Sequence, residues 1–593
     1  MKPIIDILEQ RVSDVMAVVA GESADAPAAI IKSSANPQFG DYQANGVMAL
    51  AKKIKQNPRE LAQQIVAKLD VGDMCEPPEV AGPGFINFRL KPGWLAQRLT
   101  EAICDPRRLG IDSCENPPTT VVDFSGPNIA KQMHVGHLRS TIIGDTIARV
   151  LEFWYGNPDK VIRQNHVGDW GTQFGMLVQY LIQHRINLAI SSMQGSEADS
   201  LANLEDLYRK SKESFDNDPQ FAASSRDCVV KLHNKDSSVM PFWQSIVKTS
   251  LDECQKIYDS LGVNLTEHDV RGESFYNDKL PSVISELSAA KLLQESDGAQ
   301  CVFLDGFKTK EGEPLPMIVQ KSDGAYLYAT TDLAAIQYRV GQLRADRIIY
   351  VTDSRQKLHF EMLFACVRQA GWAGESVRLE HVPFGSVLGD DGKPFKTRSG
   401  ENVKLKSLLD EAELRARQVV EEKNPDLPPD LKQRIAHAVG VGAVKYADLS
   451  NNLVTDYIFN WDKMLAMEGN TAPYMQYAYA RVQSIFRKGQ VDVADLLAQN
   501  HSLELAAPEE IGLAKLLLRY GEVVETVARD LRPHLLTTYL FDLAQTFSGF
   551  YTNCPVLKAE GTSRNTRLLL CYQTGRTIQH GLGLLGIETI EQM

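Results

Sequence analysis

The sequence predicts a multidomain α/β protein: an N-terminal α+β domain, a doubly wound parallel sheet carrying an insertion, and an all-α C-terminal part. Three observations predict it. Short β-branched runs alternate with helical spacings between about residues 119 and 403, the pattern of parallel strands joined by crossover helices. A long polar stretch with helical spacing, from about 179 to 300, interrupts that alternation. Beyond Leu405 the spacing is almost wholly helical.

Taken in order, residues 1–115 combine helical spacing at Leu61, Ile65, Val66 and Leu69 with a strand-like end, Gly82-Pro83-Gly84-Phe85-Ile86-Asn87-Phe88-Arg89-Leu90. The Pro-rich connection Asn116-Pro117-Pro118 follows, so this is read as a separable α+β domain. Within 116–404 the strands are expected at Val121–Phe124, Val161–Arg163, Arg347–Val351 and His381–Phe384. Trp243, Leu251 and Tyr258 are among the apolar anchors of the insertion, which joins two half-sheets. Residues 405–455 read as a helical connecting segment and 456–593 as a helical domain. Gly581-Leu582-Gly583-Leu584-Leu585-Gly586 matches G-x-G-x-x-G, but it follows a helix and not a strand, which is the wrong context for a dinucleotide turn.

A chain of 593 residues has room for roughly three or four domains. Its 44% hydrophobic and 23% charged residues are ordinary for globular protein, and no apolar run approaches bilayer length, which argues against a membrane protein. The start, Met1-Lys2-Pro3-Ile4-Ile5-Asp6-Ile7-Leu8-Glu9, interleaves charges with apolar residues where a secretory signal would keep a clean apolar core. A cytoplasmic protein is expected. Nine cysteines with no Cys-x-x-Cys pair argue against a disulfide framework and a zinc module, and they are expected reduced and mostly buried. A net charge of −12 does not exclude a nucleic-acid partner. Phosphate binding depends on basic groups within about a Debye length, ~8 Å at physiological salt, so an acidic chain can carry basic tracks and bind with steep salt sensitivity.

The chemistry is carried by His134-Val135-Gly136-His137. It follows the strand-like Thr119–Phe124 run through the irregular stretch 125–133, and Leu138, Ile142, Ile143, Ile147, Val150 and Leu151 recur behind it at helical spacing. The tetrapeptide should therefore sit at a helix N-terminus, where backbone N–H groups, the helix dipole and two imidazoles all favour an anion. Gly136 lets a flat group approach. The plain alternative is a pair of structural histidines near a cap. A metal site is the weaker reading, because no nearby Cys or Glu completes a ligand set and Asp145 lies two turns further along.

Phe124-Ser125-Gly126-Pro127-Asn128-Ile129-Ala130-Lys131 before that motif, and Asn165-His166-Val167-Gly168-Asp169-Trp170-Gly171-Thr172-Gln173-Phe174-Gly175 after it, closely resemble the arginyl-tRNA synthetase family of class I aminoacyl-tRNA synthetases. Lys393-Pro394-Phe395-Lys396-Thr397-Arg398-Ser399-Gly400 is similar to that family's second ATP loop, and Glu468–Ala478 to the opening of its anticodon-binding domain. The resemblance implies a Rossmann-like catalytic domain at 116–404, a tRNA-elbow-binding domain at 1–115 and an anticodon-binding domain at 456–593. It further implies two steps, arginyl-adenylate formation from L-arginine and ATP, then transfer to the terminal ribose of tRNA(Arg).

By the same resemblance the catalytic groups are Lys131, His134, His137, Lys396 and Arg398. The usual second lysine of the class I loop is here Arg398, and Lys131 stands where the family is thought to compensate. Pro127, Met133, His134, Gly136, His137, Phe384, Gly385, Val387 and Lys396 are implied to bind ATP, with Mg2+ on its phosphates and no structural zinc. Arginine needs carboxylates and planar acceptors for its guanidinium fork, and the resemblance implies Asp123, Ser125, Asn128, His137, Glu273, Tyr328, Asp332 and Gln356. Asp123 stands where relatives also carry Glu, so its shorter side chain is expected to reach through water. For tRNA the implied contacts are Tyr474, Tyr477, Arg481, Tyr551 and Met593 near the anticodon, and Phe39 at the elbow. A monomer is expected. A free-standing nucleotidyltransferase shares the motif but is usually shorter and lacks a helical C-terminal domain. A tRNA-binding paralogue with a dead site would not keep every cation and carboxylate.

Overall fold

The computed structural model of the chain describes residues 1–21, 28–34, 36–129, 131–184, 186, 197–395, 403–498 and 503–593. They form two bodies: Met1–Cys114 with Ala466–Gly583 and Glu588–Met593, and Glu115–Leu465 with Leu584–Ile587.

In the first body, helix Ile4–Ala20 buries Ile4, Leu8, Val12 and Met16, one residue per turn along a single face. Helix Pro58–Lys68 starts where the Asn57 side chain accepts from the N–H groups of Arg59 and Glu60, and it buries Leu61, Ala62 and Ile65. Strands β1 (Ile31–Ser33), β2 (Tyr42–Ala44), β3 (Glu79–Ala81) and β4 (Phe85–Phe88) make an antiparallel sheet in the order β1-β2-β4-β3. The same body holds helices Ala472–Gly489, Pro508–Leu518, Tyr520–Asp530, His534–Asn553 and Gly561–Leu584. Residues 1–114 keep their own sheet yet share this body with the C-terminal helices: the buried Tyr42 hydroxyl donates to Glu522 at 2.8 Å, and Lys515 pairs with Asp41 at 2.6 Å.

In the second body, β5 (Thr120–Asp123), β6 (Val161–Gln164), β10 (Arg347–Asp353) and β11 (Arg378–Phe384) form a wholly parallel sheet in the order β11-β10-β5-β6. Val121, Val122, Ile348, Ile349 and Val351 are fully buried, as strands covered on both faces require. β5 and β10 are neighbours whose onward connections diverge, to β6 on one side and β11 on the other, so their carboxyl ends open a crevice. Tyr350 faces Asp123 across that junction.

The interruption is helical as expected through Thr172–Gln183, Glu197–Asn217, Pro219–His233, Met240–Leu261 and Leu280–Ala289. It then departs from expectation. β7 (Leu293–Ser296), β8 (Ala299–Lys308) and β9 (Pro314–Gln320) form an antiparallel sheet, and the expected boundary at about 300 falls inside β8. Val302, Leu304, Met317 and Val319 of this sheet join one core with Leu333 and Leu363, which is why these short alternating runs form strands. Beyond Leu405 the second body is helical, at Leu405–Lys423 and Pro429–Leu449, apart from the short β13 (Tyr457–Ile458), which pairs with β12 (Val387–Leu388). All nine cysteines are free thiols, seven of them buried. Among the described residues no helix is long and apolar enough to cross a membrane.

Candidate active site

His134 is itself the N-cap of helix Val135–Tyr155. Its Nδ1 accepts from Gly136 N–H at 3.0 Å, and His137 Nδ1 accepts from His134 N–H at 3.1 Å. Both Nδ1 atoms are thus acceptors, so in each neutral ring the proton sits on Nε2. Burial pushes His137 down to about 3, with His134 beside it adding to the effect, and burial followed by the Lys131 charge lowers His134. At neutral pH the pair presents two uncharged N–H donors, their ring centroids 4.0 Å apart. Gly136 is required here: a Cβ would lie 2.7 Å from His134 Cε1. Gly144, one face further along, lets the helix press against Phe124 of the strand exit.

The loop between β5 and this helix is tied down rather than free. Gly168 N–H donates to Pro127 O at 3.0 Å and Ile129 N–H to Gly168 O at 3.1 Å, which places Asn128 beside Gly168. Ser125 adopts φ +70, a left-handed conformation costly for a residue with a Cβ and common at functional sites. Its hydroxyl is already engaged by Tyr258 at 2.8 Å and Thr141 at 2.9 Å.

Lys396 and Arg398 lie outside the described residues, but both ends of their loop are placed. Phe395 N–H donates to Val387 O at 3.0 Å and its ring stacks on Phe459, while on the far side Val135 N–H donates to Val403 O at 2.9 Å and Leu405 N–H to Met133 O at 3.0 Å. The chain therefore leaves the Phe384–Val387 wall and returns to the His134 cap. Arg139, 1% exposed, ties the two walls together. Its guanidinium donates to Gly385 O at 2.7 Å, pairs with Asp448 at 3.1 Å and lies over the rings of Phe384 and Tyr457.

A second group of side chains gathers carboxylates and imidazoles around Asp332. Tyr328 and Asp332 share one face of helix Tyr328–Gly341, and Tyr328 is 66% exposed. His359 Nε2 lies 2.7 Å from Asp332 Oδ2 and its ring packs edge-on against Tyr328. His166 Nε2 approaches the other Asp332 oxygen at 4.0 Å. Glu273 is held by its N–H to Val167 O at 3.1 Å. Burial, then the charges of Asp169 and Asp332, raises its carboxyl to about 7. Asp169 is buried and accepts from Ser274 N–H at 2.8 Å. Gln356 is exposed at the cap of helix Lys357–Gln369. Asp123, at the tip of β5, accepts from the fully buried Arg339 guanidinium at 2.6 Å, and Arg339 also holds Gln164 at 2.7 Å.

In the first body, Arg481 lies 5.0 Å from the Tyr477 ring centroid and 5.8 Å from that of Tyr551, and donates to the Tyr477 hydroxyl. Both tyrosines are more than a third exposed. Tyr474 packs toward Phe541, Met593 is half-buried, and Phe39 is 46% exposed.

Sequence reasoning gave no site role to Arg139, Arg339, Asp169 or His359, and it read Tyr258 only as an apolar anchor of the insertion. Arg139 left one usable sign, an arginine among the apolar residues Leu138, Ile142 and Ile143 of a buried helix. The partners of the others are set by tertiary contacts, which leave no periodic mark.

A parallel sheet with its crevice at β5 and β10, a His-x-Gly-His cap and a second loop returning to that cap define a class I aminoacyl-tRNA synthetase. Residues 98–461 match the family described as tRNA synthetases class I (R), catalytic domain, residues 3–90 the arginyl tRNA synthetase N terminal domain, and 475–593 the DALR anticodon binding domain. The chain belongs to the arginyl-tRNA synthetase family. It is 54% identical over 565 residues to the arginine–tRNA ligase of Laribacter hongkongensis, covering 95% of this chain and 96% of that one. It is 51% identical over 588 residues to the arginine–tRNA ligase of Escherichia coli, covering 99% of each. The arginyl-tRNA synthetase structure from Plasmodium falciparum superposes with a TM-score of 0.84 at 31% identity, over the whole of both chains.

Proposed function

We propose that the chain ligates L-arginine to tRNA(Arg) in two steps, and that the residues named above carry them. The observation that supports this most is the imidazole pair whose Nδ1 atoms both accept backbone N–H groups. In the first step the arginine carboxylate attacks the α-phosphate in line, the α–β phosphoanhydride bond breaks and pyrophosphate leaves, and no protein nucleophile is needed. Catalysis is then positioning plus donors aimed at oxygens gaining charge. His134 and His137 supply neutral Nε2–H donors, Lys131 a full positive charge, and Lys396 with Arg398 two further cations. Pro127, Met133, Gly136, Phe384, Gly385 and Val387 form the nucleotide wall. In the second step a terminal ribose hydroxyl attacks the adenylate carbonyl and AMP leaves.

Glu273 and Asp332 face the substrate guanidinium, with Tyr328 beside them; Asn128, Gln356, Ser125 and Asp123 complete the pocket toward the α-amino end. Mg2+ neutralises phosphate charge when it enters with ATP. The histidine pair does not suit it as a ligand set, because Mg2+ takes oxygen ligands and these nitrogens are committed as a backbone acceptor and an N–H donor. Arg481, Tyr477 and Tyr551 offer stacking faces and a cation to the anticodon loop, joined by Tyr474 and Met593, with Phe39 at the elbow. Full-length likeness to arginine–tRNA ligases supports a cytoplasmic enzyme, which we take to act as a monomer. Charging of tRNA(Arg) with labelled arginine tests the reading: the terminal adenosine should acquire arginine alone, and charging with another amino acid at comparable rate would overturn it.

A further inference from the structure

Lys131 is exposed on the loop before the His134 cap, and among the described residues no ion pair ties its ammonium. A lysine of that kind samples many rotamers, which is a poor way to present a charge to a phosphate. Its Nζ lies 4.7 Å from the centroid of the Tyr208 ring, inside the ~6 Å range of a cation–π contact. Tyr208 comes from helix Glu197–Asn217 of the insertion, a segment with no assigned part in the reaction.

We propose that Tyr208 is a positioning residue for amino-acid activation, holding the Lys131 ammonium over its ring at the entrance to the His134–His137 pair. The proposal rests on the reading of Lys131 given above. Its neighbours make Tyr208 a fixed platform: Leu207 and Ser211 are buried, and the Ser211 hydroxyl donates to Tyr208 O at 3.0 Å. The base of Lys131 is held as well, since its N–H donates to Asn128 O at 3.3 Å. The ammonium also lowers the basicity of the His134 imidazole, second only to burial. Its charge is thus felt at the first donor of the pair while Nζ stands over the Tyr208 ring.

A ring is the suitable partner for this task. A carboxylate would hold the ammonium more tightly, but it would cancel the charge and compete with phosphate oxygens for the N–H donors. A ring restricts the side chain and leaves its charge and donors available. On this account the insertion that splits the two half-sheets contributes a side chain to the catalytic loop.

The test is arginine-dependent pyrophosphate exchange in the presence of tRNA, on the full chain carrying Lys131→Ala, Tyr208→Leu, Tyr208→Phe or Lys131→Ala with Tyr208→Leu, with melting temperature measured on each. Tyr208→Leu keeps apolar bulk and removes the ring. It should lower kcat about 5- to 30-fold, the worth of a partly desolvated cation–π contact, with the KM for arginine and the melting temperature unchanged. Tyr208→Phe should restore most of that loss. In the Lys131→Ala background, Tyr208→Leu should add less than twofold, because the two residues act through one ammonium. Independent, multiplying losses in the double variant would overturn the proposal, as would Tyr208→Phe failing as badly as Tyr208→Leu. If Lys131→Ala is depressed and Tyr208→Leu is not, the positioning role alone falls. If Lys131→Ala stays within about threefold of the parent, the reading of Lys131 falls first and takes the proposal with it.

Discussion

Asp123 and Arg339, 216 residues apart in sequence, meet in a buried ion pair at 2.6 Å at the carboxyl end of β5. One oxygen of Asp123 is thus committed to the protein's own guanidinium before any substrate arrives. Removing the carboxylate leaves a buried cation without its counter-ion, a change that costs about 3–5 kcal/mol in buried pairs. Asp123→Asn is expected to lose about that much in denaturant unfolding of the second body, and Asp123→Leu with Arg339→Met to recover most of it. An Asp123→Asn enzyme of unchanged stability with a raised KM for arginine would mean that the carboxylate serves the substrate directly.

Glu273, proposed above to face the substrate guanidinium, should make arginine binding depend on pH. Burial and two neighbouring carboxylates raise its pKa to about 7, so in the free enzyme it is mostly neutral below that pH and ionised above. Because the folded value lies above the unfolded one, ionisation costs stability as pH rises toward 7, and a bound guanidinium reverses this by favouring the carboxylate. Arginine affinity should therefore fall by up to about tenfold per pH unit below 7. Calorimetric titration between pH 5.5 and 8.5 reads it directly, and Glu273→Gln should bind weakly with no such slope. A flat profile in the unaltered protein would contradict the assignment.

Gly136→Ala should act on amino-acid activation and leave tRNA binding untouched. Its Cβ would meet the His134 ring at 2.7 Å, forcing the imidazole off its cap. A displaced donor costs on the order of 10- to 100-fold in kcat, while tRNA affinity, measured by filter binding, should stay the same. Equal losses in both would point to general misfolding.

Tyr551 separates recognition from chemistry. Its ring is 39% exposed and stacks on Phe547, with Arg481 alongside. Stacking one base is worth roughly 1–3 kcal/mol, so Tyr551→Ala should raise the KM for tRNA about 5- to 150-fold with the KM for ATP unchanged. A lower melting temperature with an unaltered tRNA constant would make it a packing residue.

The His134 helix cap was legible in the chain, because it is local: a strand exit, a cap residue and a 3.6-residue period lie within about 35 consecutive positions around His134. The antiparallel sheet β7-β8-β9 was not. Val302 and Leu304 gain their strand character from packing on Leu333 and Leu363, far along the chain. Likewise Asp123 reads in sequence as a free carboxylate near the motif, and only the fold supplies Arg339. The pairing of His359 with Asp332 also depends on where two helices meet. Long-range charge pairs leave no period, so sequence alone shows the groups without their partners.

The most direct test of the central claim is amino-acid-dependent ATP/pyrophosphate exchange, run with each of the twenty amino acids, with and without tRNA. Exchange should occur with arginine alone. Robust exchange with any other amino acid would contradict it.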